Sequence, residues 1–298
     1  RPVQPTPVGR GVYQLVTLQH TGGDDQYGFR LIGLDQQLDR FAPDWVYVQQ
    51  DPESQVAQQV VLRDLPDGAG PRYALFTWEN IPTRATVTHE GRTTAELVRR
   101  CSLVLCGNGE AEAIMRPYAK RTVVTLQVGV DTDHFQARPD VARDIPVGYV
   151  GRIAPEKGVR ELATAWTKTA FLDWKPWAQL PWWYSRLRVV VTFSQDTPFW
   201  REQAPNYVTC EALCCGAAEV TSDGGSIPFW LQRFAGECPG AVVVPQKNTL
   251  QLARVLDELV RDPERTAKMA REGRAWVEEH LSTRVRARKL AEELEAAQ

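Results

Sequence analysis

Pro146-Val147-Gly148-Tyr149-Val150-Gly151-Arg152-Ile153-Ala154-Pro155-Glu156-Lys157-Gly158 decides how the rest of this chain reads. An apolar run of strand length ends at a glycine, a cation follows, and Lys157-Gly158 opens the apolar periodicity of a helix. A strand that delivers cations to a helix start makes an anion site. The first helical amides have no partner within the helix, and the helix dipole is positive at that end. Arg152 and Lys157 would each add a charge-assisted contact of roughly 1.5–3 kcal/mol. The plainer reading is a surface Arg and Lys flanking a turn.

The same alternation runs outward in both directions. Upstream, strands are expected at 12–18, 44–48, 73–78, 101–106 and 122–126, with helices at 29–41, 53–65, 95–100 and 110–118. Downstream, strands are expected at 146–151, 188–193, 219–221 and 241–245, with helices at 159–171, 207–216 and from 227. Residues 250–297 read as helical, broken near Asp262-Pro263 and His280-Leu281-Ser282. Short apolar runs alternating with helical ones specify an α/β fold with parallel sheets. Gly129-Val130-Asp131-Thr132-Asp133-His134-Phe135 interrupts the rhythm, and the polar stretch to Asp144 contains Pro139. A linker there divides the chain into 1–144 and 145–298. Two such halves imply a cleft between the carboxyl ends of their sheets.

The 298 residues are enough for two cored domains, and 43% hydrophobic with 24% charged residues is ordinary for a globular chain. A net charge of −2, with neither half standing out, gives no sign of a globally basic nucleic-acid binder. Cys101, Cys106, Cys210, Cys214, Cys215 and Cys238 form no Cys-x-x-Cys pair, and four histidines offer little to a zinc site. Mostly within apolar runs, they read as buried reduced thiols, which suits a cytoplasmic setting. No apolar run is long enough to span a membrane, and the start lacks a signal-peptide core.

A second segment runs from Glu202-Gln203 through Glu211-Ala212-Leu213-Cys214-Cys215-Gly216 to Ser222-Asp223-Gly224-Gly225-Ser226-Ile227-Pro228. Glu211 falls near the exposed end of a helix, where a carboxylate accepts from two ribose hydroxyls at once. Glu202 sits in the preceding loop, within reach of a hexose. Gly151 and Gly224-Gly225 allow close backbone approach at turns. Cations and amides for phosphates, with carboxylates for hydroxyls, are what a nucleotide sugar needs. Solvated carboxylates and a plain turn are the bland alternatives. Asp131-Thr132-Asp133 mimics a metal-binding Asp-x-Asp but lies at the domain junction, and reads as a hinge. Gly107-Asn108-Gly109 lacks the third glycine of a dinucleotide loop and reads as a strand-to-helix turn. His20-Thr21-Gly22-Gly23-Asp24-Asp25 fits a substrate loop or a surface turn.

Together these segments resemble the retaining glycosyltransferases of family four, which have the GT-B fold: two Rossmann-like domains facing each other across a cleft. Val128-Gly129-Val130-Asp131-Thr132-Asp133-His134-Phe135 looks like the hinge motif, and Val150-Gly151-Arg152 with Glu156-Lys157-Gly158 like the donor-phosphate motif. Thr197-Pro198-Phe199-Trp200-Arg201-Glu202-Gln203 with Glu211-Ala212-Leu213-Cys214-Cys215-Gly216 looks like the paired-glutamate motif. The strand at Asp44 and the strand end Phe76-Thr77-Trp78-Glu79-Asn80 fit the acceptor domain.

The resemblance implies transfer of a sugar from a UDP- or GDP-sugar to a hydroxyl with its anomeric configuration kept, and without a metal or other cofactor. It assigns Arg152 and Lys157 to the leaving diphosphate, Glu202 to the donor sugar, and Glu211 to the ribose. Gln203, Asn206 and Gly151 would also serve the donor, and His20, Glu79 and Asn80 the acceptor side. The acceptor stays open among saccharide, lipid, metabolite and modified DNA base. Alternatives are a catalytically weakened sugar-nucleotide-binding module or a phage-type DNA-base glycosyltransferase.

The chain departs from the family in three places. Eight residues, against the family's seven, separate Glu202 from Glu211, so either a bulge is present or Gln203 takes the sugar-facing place. A first strand with its glycine-rich acceptor loop is expected to be missing. A strand-helix-strand unit is also expected to be missing between Phe171 and Trp182. There a tryptophan-rich run would stack on a nucleobase or cover a sheet edge, in what reads as a compact, trimmed member.

Overall fold

The computed structural model describes residues 15–22, 27–63, 70–80, 88–89, 92–172, 175–198 and 200–297. In the first half the elements are β1 (His20–Thr21), β2 (Arg30–Leu31), α1 (Leu34–Phe41), β3 (Trp45–Gln49), α2 (Gln55–Val61) and β4 (Arg72–Thr77). There follow β5 (Thr88–His89), β6 (Arg92–Thr93), α3 (Thr94–Arg100), β7 (Leu103–Cys106), α4 (Gly109–Met115) and β8 (Thr122–Val124). The second half contains β9 (Ile145–Val150), α5 (Val159–Ala165), β10 (Ala170–Leu172), α6 (Leu180–Arg186) and β11 (Leu187–Thr192). It continues with α7 (Tyr207–Cys214), β12 (Ala218–Ser222), β13 (Ala241–Val244), α8 (Thr249–Arg261), α9 (Pro263–His280) and α10 (Thr283–Ala296).

Two parallel sheets result, in the orders β3-β4-β7-β8 and β10-β9-β11-β12-β13. Their central strands are fully buried: Leu103 to Cys106 on β7, and Val189 to Val191 on β11. Helices on both faces explain why such strands read as continuous apolar runs. The elements start where their caps put them. Thr93 and Glu96 form a reciprocal capping box on α3, Asn108 caps α4, and Ser282 caps α10. All six cysteines are buried and free, and burial pushes their thiols up from the ordinary range.

Several expected boundaries move. Residues 29–41 do not form one helix: Arg30–Leu31 pairs with His20–Thr21 as a hairpin, and the helix waits until Leu34. The expected strand at 12–18 falls partly outside the described residues, and 15–18 are irregular. The helix at 159–171 stops at Ala165, and Ala170–Leu172 pairs in parallel with Gly148–Val150 as an edge strand. Between that strand and β11 lies α6, with Pro181 in its first turn. A short edge strand and a helix therefore occupy the stretch where a strand-helix-strand unit is expected to be missing, and they lead into the expected strand β11. The edge strand has three residues, and the helix is built from the aromatic run.

The chain crosses between the sheets twice, and the crossings are joined. Val130 N donates to Leu281 O at 2.8 Å, Thr283 N donates to Val130 O at 2.9 Å, and Thr283 Oγ1 reaches Gly129 O at 3.0 Å. A side chain at Gly129 would strike the backbone of Ser282 and Thr283, so only glycine permits this approach. Past the second crossing, α10 lies against the first sheet. Leu290, Leu294 and Ala297 pack on Ala74, Phe76, Leu103 and Leu105, and Arg121 pairs with Glu293. Among the described residues no helix is long and apolar enough to cross a membrane.

Candidate functional site

The carboxyl ends of β9 and β11, with the start of α7, enclose two adjoining cavities. A smaller one of about 100 Å³ is lined by Gly151, Arg152, Lys157, Ser194 and Asn206, among others. A larger one of about 790 Å³ shares Val150, Gly151, Arg152 and Val208, and adds Trp177, Tyr184 and Glu211. Sequence-distant Arg152, Lys157, Asn206 and Glu211 thus meet at one place, because parallel strands present their ends side by side.

The two cations differ in their surroundings. Arg152 is 65% exposed and pairs with Glu156 at 2.5 Å within one turn. Lys157 is 22% exposed, with Nζ 3.0 Å from Glu202 Oε2 and 4.4 Å from the centroid of the Trp200 ring. Ser194 Oγ also donates to Glu202 Oε2, at 2.7 Å. The loop carrying Glu202 is held from behind, where Ser226 N donates to Glu202 O at 2.8 Å. Gly225 has φ +52, and a Cβ there would collide with the Glu202 backbone. The glycine pair thus serves the close approach of one protein loop to another.

Asn206 adopts φ +64, rare outside glycine and best tolerated by Asn, while its side chain caps α7 at Val208 N. Glu211 follows on α7. Tyr184, fully buried, donates to Glu211 Oε2 at 2.8 Å. Burial pushes the Glu211 carboxyl up to about 7, against the pull of that hydrogen bond. One oxygen of the carboxyl is thereby committed to the protein. Trp177 of the tryptophan-rich run lines the large cavity with one face stacked on His134, at 3.5 Å and 8°. Trp182 and Trp183 instead lie under the Arg186 guanidinium.

Across the cleft, Asn108 Nδ2 donates to Gln203 O at 3.2 Å, Trp230 Nε1 to Gly107 O at 3.2 Å, and Arg201 pairs with Glu110 at 3.0 Å. Gln203 Nε2 approaches Asn80 Oδ1 at 3.5 Å. Gln203 therefore points to the first domain, while Glu202 turns to Lys157. The Gly107-Asn108-Gly109 turn becomes the contact point between the halves. Asn80 and Glu79 are buried at 3% and 2% exposure. The carboxyl of Glu53 faces Glu79, and burial with that neighbour raises it far above the usual carboxylate range. A third cavity, of about 360 Å³, opens between the domains beside Asn80, Glu110, Trp200 and Arg201. His20 stands exposed on the β1–β2 hairpin, edge-on to Phe29, and no hydrogen bond joins it to the cleft among the described residues. Asp131 Oδ1 accepts from Asp133 N and His134 N, closing a local turn at the crossing. Among the described residues no cluster of His, Cys, Asp or Glu has metal-binding geometry.

Sequence reasoning missed Ser194, Tyr184, Glu53, Asn108 and Glu110. Apart from Ser194, whose partner Glu202 is eight residues on, each works through a partner far along the chain, and only Asn108, as a polar residue opening a helix, carried a local signal.

The arrangement can bind an anion flanked by hydroxyl-bearing groups. The glycosyl transferase-like family matches residues 139–292, which is more than half of the sequence, and the chain belongs to that family. No curated protein matches it in sequence. Among solved structures it resembles a sucrose-phosphate synthase from Thermosynechococcus elongatus, at 15% identity and TM-score 0.66, over 89% of this chain and 77% of that one. It also resembles Anabaena Alr3699/HepE in complex with UDP and glucose, at 16% identity and TM-score 0.65, over 88% and 81%. An E. coli trehalose-6-phosphate structure bound with UDP-2-fluoro glucose aligns at 11% identity and TM-score 0.64, over 86% and 75%. These likenesses establish the GT-B fold.

Proposed function

We propose, from membership of the glycosyl transferase-like family, that the chain is a retaining, metal-independent glycosyltransferase. It moves a sugar from a UDP- or GDP-sugar to a hydroxyl acceptor. The observation that carries this reading is the convergence of Arg152, Lys157, the α7 start and Glu211 on adjoining cavities at the strand ends. The solved complexes of the HepE relative with UDP and with UDP-glucose lend support from the same fold. The six buried thiols fit a reducing cytoplasm.

In this reading the diphosphate lies between Arg152, Lys157 and the first amides of α7, held near Asn206 and Gly151. Glu211 accepts from the ribose hydroxyls, and the base enters the cavity beside Trp177. The sugar–phosphate bond breaks with its electron pair passing to the diphosphate oxygen. Negative charge therefore grows where the cations are fixed, and they favour the transition state over the ground state. The acceptor oxygen forms its new bond on the same face, and its proton passes to the leaving phosphate. In the free chain Glu202 neutralises Lys157. As Lys157 turns to the diphosphate, Glu202 is released to accept from the sugar, while Gln203 keeps its hold on Asn80.

Calorimetric titration with UDP and GDP, each with and without EDTA, tests the donor side. Tight binding of one nucleotide, unchanged by chelation, is expected. Loss of binding on chelation overturns the metal-independent reading, and an inverted product anomer by NMR overturns retention.

A further inference from the structure

Behind the smaller donor cavity lies a carboxyl that the transferase reading leaves unused. Glu219 of β12 is fully buried. Burial pushes its carboxyl up to about 8, and no charged neighbour opposes that push. Its surroundings are hydroxyls. Glu219 Oε1 lies 2.6 Å from Thr192 Oγ1 of β11, and that hydroxyl lies 3.0 Å from Thr221 Oγ1. Thr221 Oγ1 in turn lies 2.8 Å from the Thr192 carbonyl oxygen. Each of these three contacts needs one proton, and the two hydroxyls supply two. The third comes from Glu219. A protonated Glu219 donates to Thr192 Oγ1, Thr192 to Thr221 Oγ1, and Thr221 to the Thr192 carbonyl, which completes the set. Glu219 Oε2 is buried and has no partner among the described residues, a place that suits the carbonyl of a neutral acid better than a charge.

This cluster joins the elements that shape the phosphate side. Thr192 belongs to the lining of the cavity of about 100 Å³, together with Asn206 and Val208. Thr209, next along α7, places Oγ1 3.4 Å from Thr192 Oγ1, while its amide donates to Asn206 O at 3.0 Å. Resting on the transferase reading above, we propose that Glu219 is a positioning residue of the donor site: as a neutral acid it ties β11, β12 and α7 together behind the phosphate cavity and fixes the α7 start that receives the diphosphate. A carboxylate in its stead would set a poorly screened negative charge behind an anionic ligand. Cys210 of α7, Tyr184 of α6 and Cys238 ahead of β13 face Glu219, and all three are raised, so they stay neutral well into the alkaline range. Glu211 of α7 is held by Tyr184, Arg274 of α9 pairs with Glu278, and Arg188 of β11 turns to the Arg143 carbonyl. The apolar side of α8 meets β12 at Val220, on its other face, and β13 brings only Ala241 to Val244.

The test measures UDP and GDP affinity by calorimetry from pH 6 to 9.5, at a temperature where circular dichroism shows every protein folded. Glu219→Gln keeps a neutral donor and should bind within about threefold of the parent at pH 7. Glu219→Met has similar length but no donor, and Thr192→Val loses the hydroxyl. Each should raise the nucleotide Kd about fivefold or more. Between pH 7 and 9.5 the parent should lose about fivefold or more in affinity relative to Glu219→Gln, since only the parent ionises at this place. A role confined to stability would shift melting temperatures and leave that ratio flat, so a flat ratio overturns the proposal. Parental affinity in both Glu219→Met and Thr192→Val overturns it as well. If Glu219→Met does not fold, the pH ratio and Thr192→Val carry the decision. If the parent binds neither nucleotide, the transferase reading fails. Amide exchange at Val208, Thr209 and Cys210 then decides the tie: faster exchange in Thr192→Val than in the parent supports it, and equal exchange overturns it.

Discussion

The two walls of the cleft are built to different standards of completion. On the side of the second sheet, the four charged groups at the cavities have partners: Lys157 with Glu202, Glu202 with Ser194, Glu211 with Tyr184, and Arg152 with Glu156. On the side of the first sheet, Asn80 Nδ2 and Glu110 Oε2 are buried without partners among the described residues, and Glu53 and Glu79 face each other as two carboxyls. A buried polar atom without a partner costs about 1–3 kcal/mol. The contrast distinguishes a wall whose charged groups are paired with one another from one where buried polar atoms are left over.

The paired wall should break most severely at Gly225. Alanine there must adopt φ +52 and place a Cβ into the Glu202 backbone. A loss of about 3 kcal/mol or more is expected in urea unfolding. Stability close to the parent would show that the Glu202 loop is not pinned as described.

Glu211→Ala should weaken nucleotide binding roughly ten- to hundredfold, matching about 1.5–3 kcal/mol for a charged hydrogen-bond set. Because Glu211 sits at about 7, nucleotide affinity of the parent should rise between pH 6 and 8, and Glu211→Gln should flatten that rise. The stability effect has the opposite sign. A carboxyl whose folded value lies above its unfolded one contributes stability that is full below the unfolded value. That stability is lost as pH rises through about 7. The parent should therefore lose more stability than Glu211→Gln between pH 5 and 8 in parallel denaturation series.

Arg152 and Lys157 sharpen the comparison within the paired wall. Arg152→Ala removes an exposed pair and should alter stability by no more than about 0.5 kcal/mol. Lys157→Ala strips a half-buried carboxylate and an indole of their cation, and should cost about 1–3 kcal/mol, between exposed and fully buried pairs. Both should depress transfer strongly. Equal melting temperatures for the two variants would remove the distinction drawn between them.

The smallest effect belongs to the unfinished wall. Glu53 is pushed far up by burial beside Glu79 and carries its proton at neutral pH. Glu53→Gln should therefore change stability by less than about 1 kcal/mol near pH 4, where the carboxyl is protonated in the folded chain and largely so in the unfolded one. As pH climbs above the usual carboxylate range, the parent should lose stability that the variant keeps. Parallel pH profiles of the two would mean that Glu53 is not held protonated.

Much of this was legible in the chain, and the rest hid for identifiable reasons. The parallel strands at 45–49, 103–106 and 187–192 announced themselves as apolar runs because both of their faces are covered. Arg152, Lys157 and Glu211 stood out because strand and helix ends are readable. The strand Ala170–Leu172 did not, since three residues next to a helix carry no period of their own, and pairing with Gly148–Val150 makes them a strand. The tryptophan-rich run concealed α6, as aromatics are poor helix formers and the register is set by packing under β11. Asn80 and Glu110 are thirty positions apart, and their shared cavity is a property of the sheet order.

The joined crossings at Val130 and Thr283 bear on how the molecule responds to proteolysis. Residues 136–140 are exposed and polar, an inviting stretch for a protease. Yet a nick there would not set two domains free. The downstream fragment carries α10, whose Leu290 and Leu294 complete the apolar face of the first sheet, and its 281–283 segment stays hydrogen-bonded to Val130. The cleaved halves should elute together from a sizing column and separate only in denaturant. This protein would then keep its cleft assembled through a break in its own main chain.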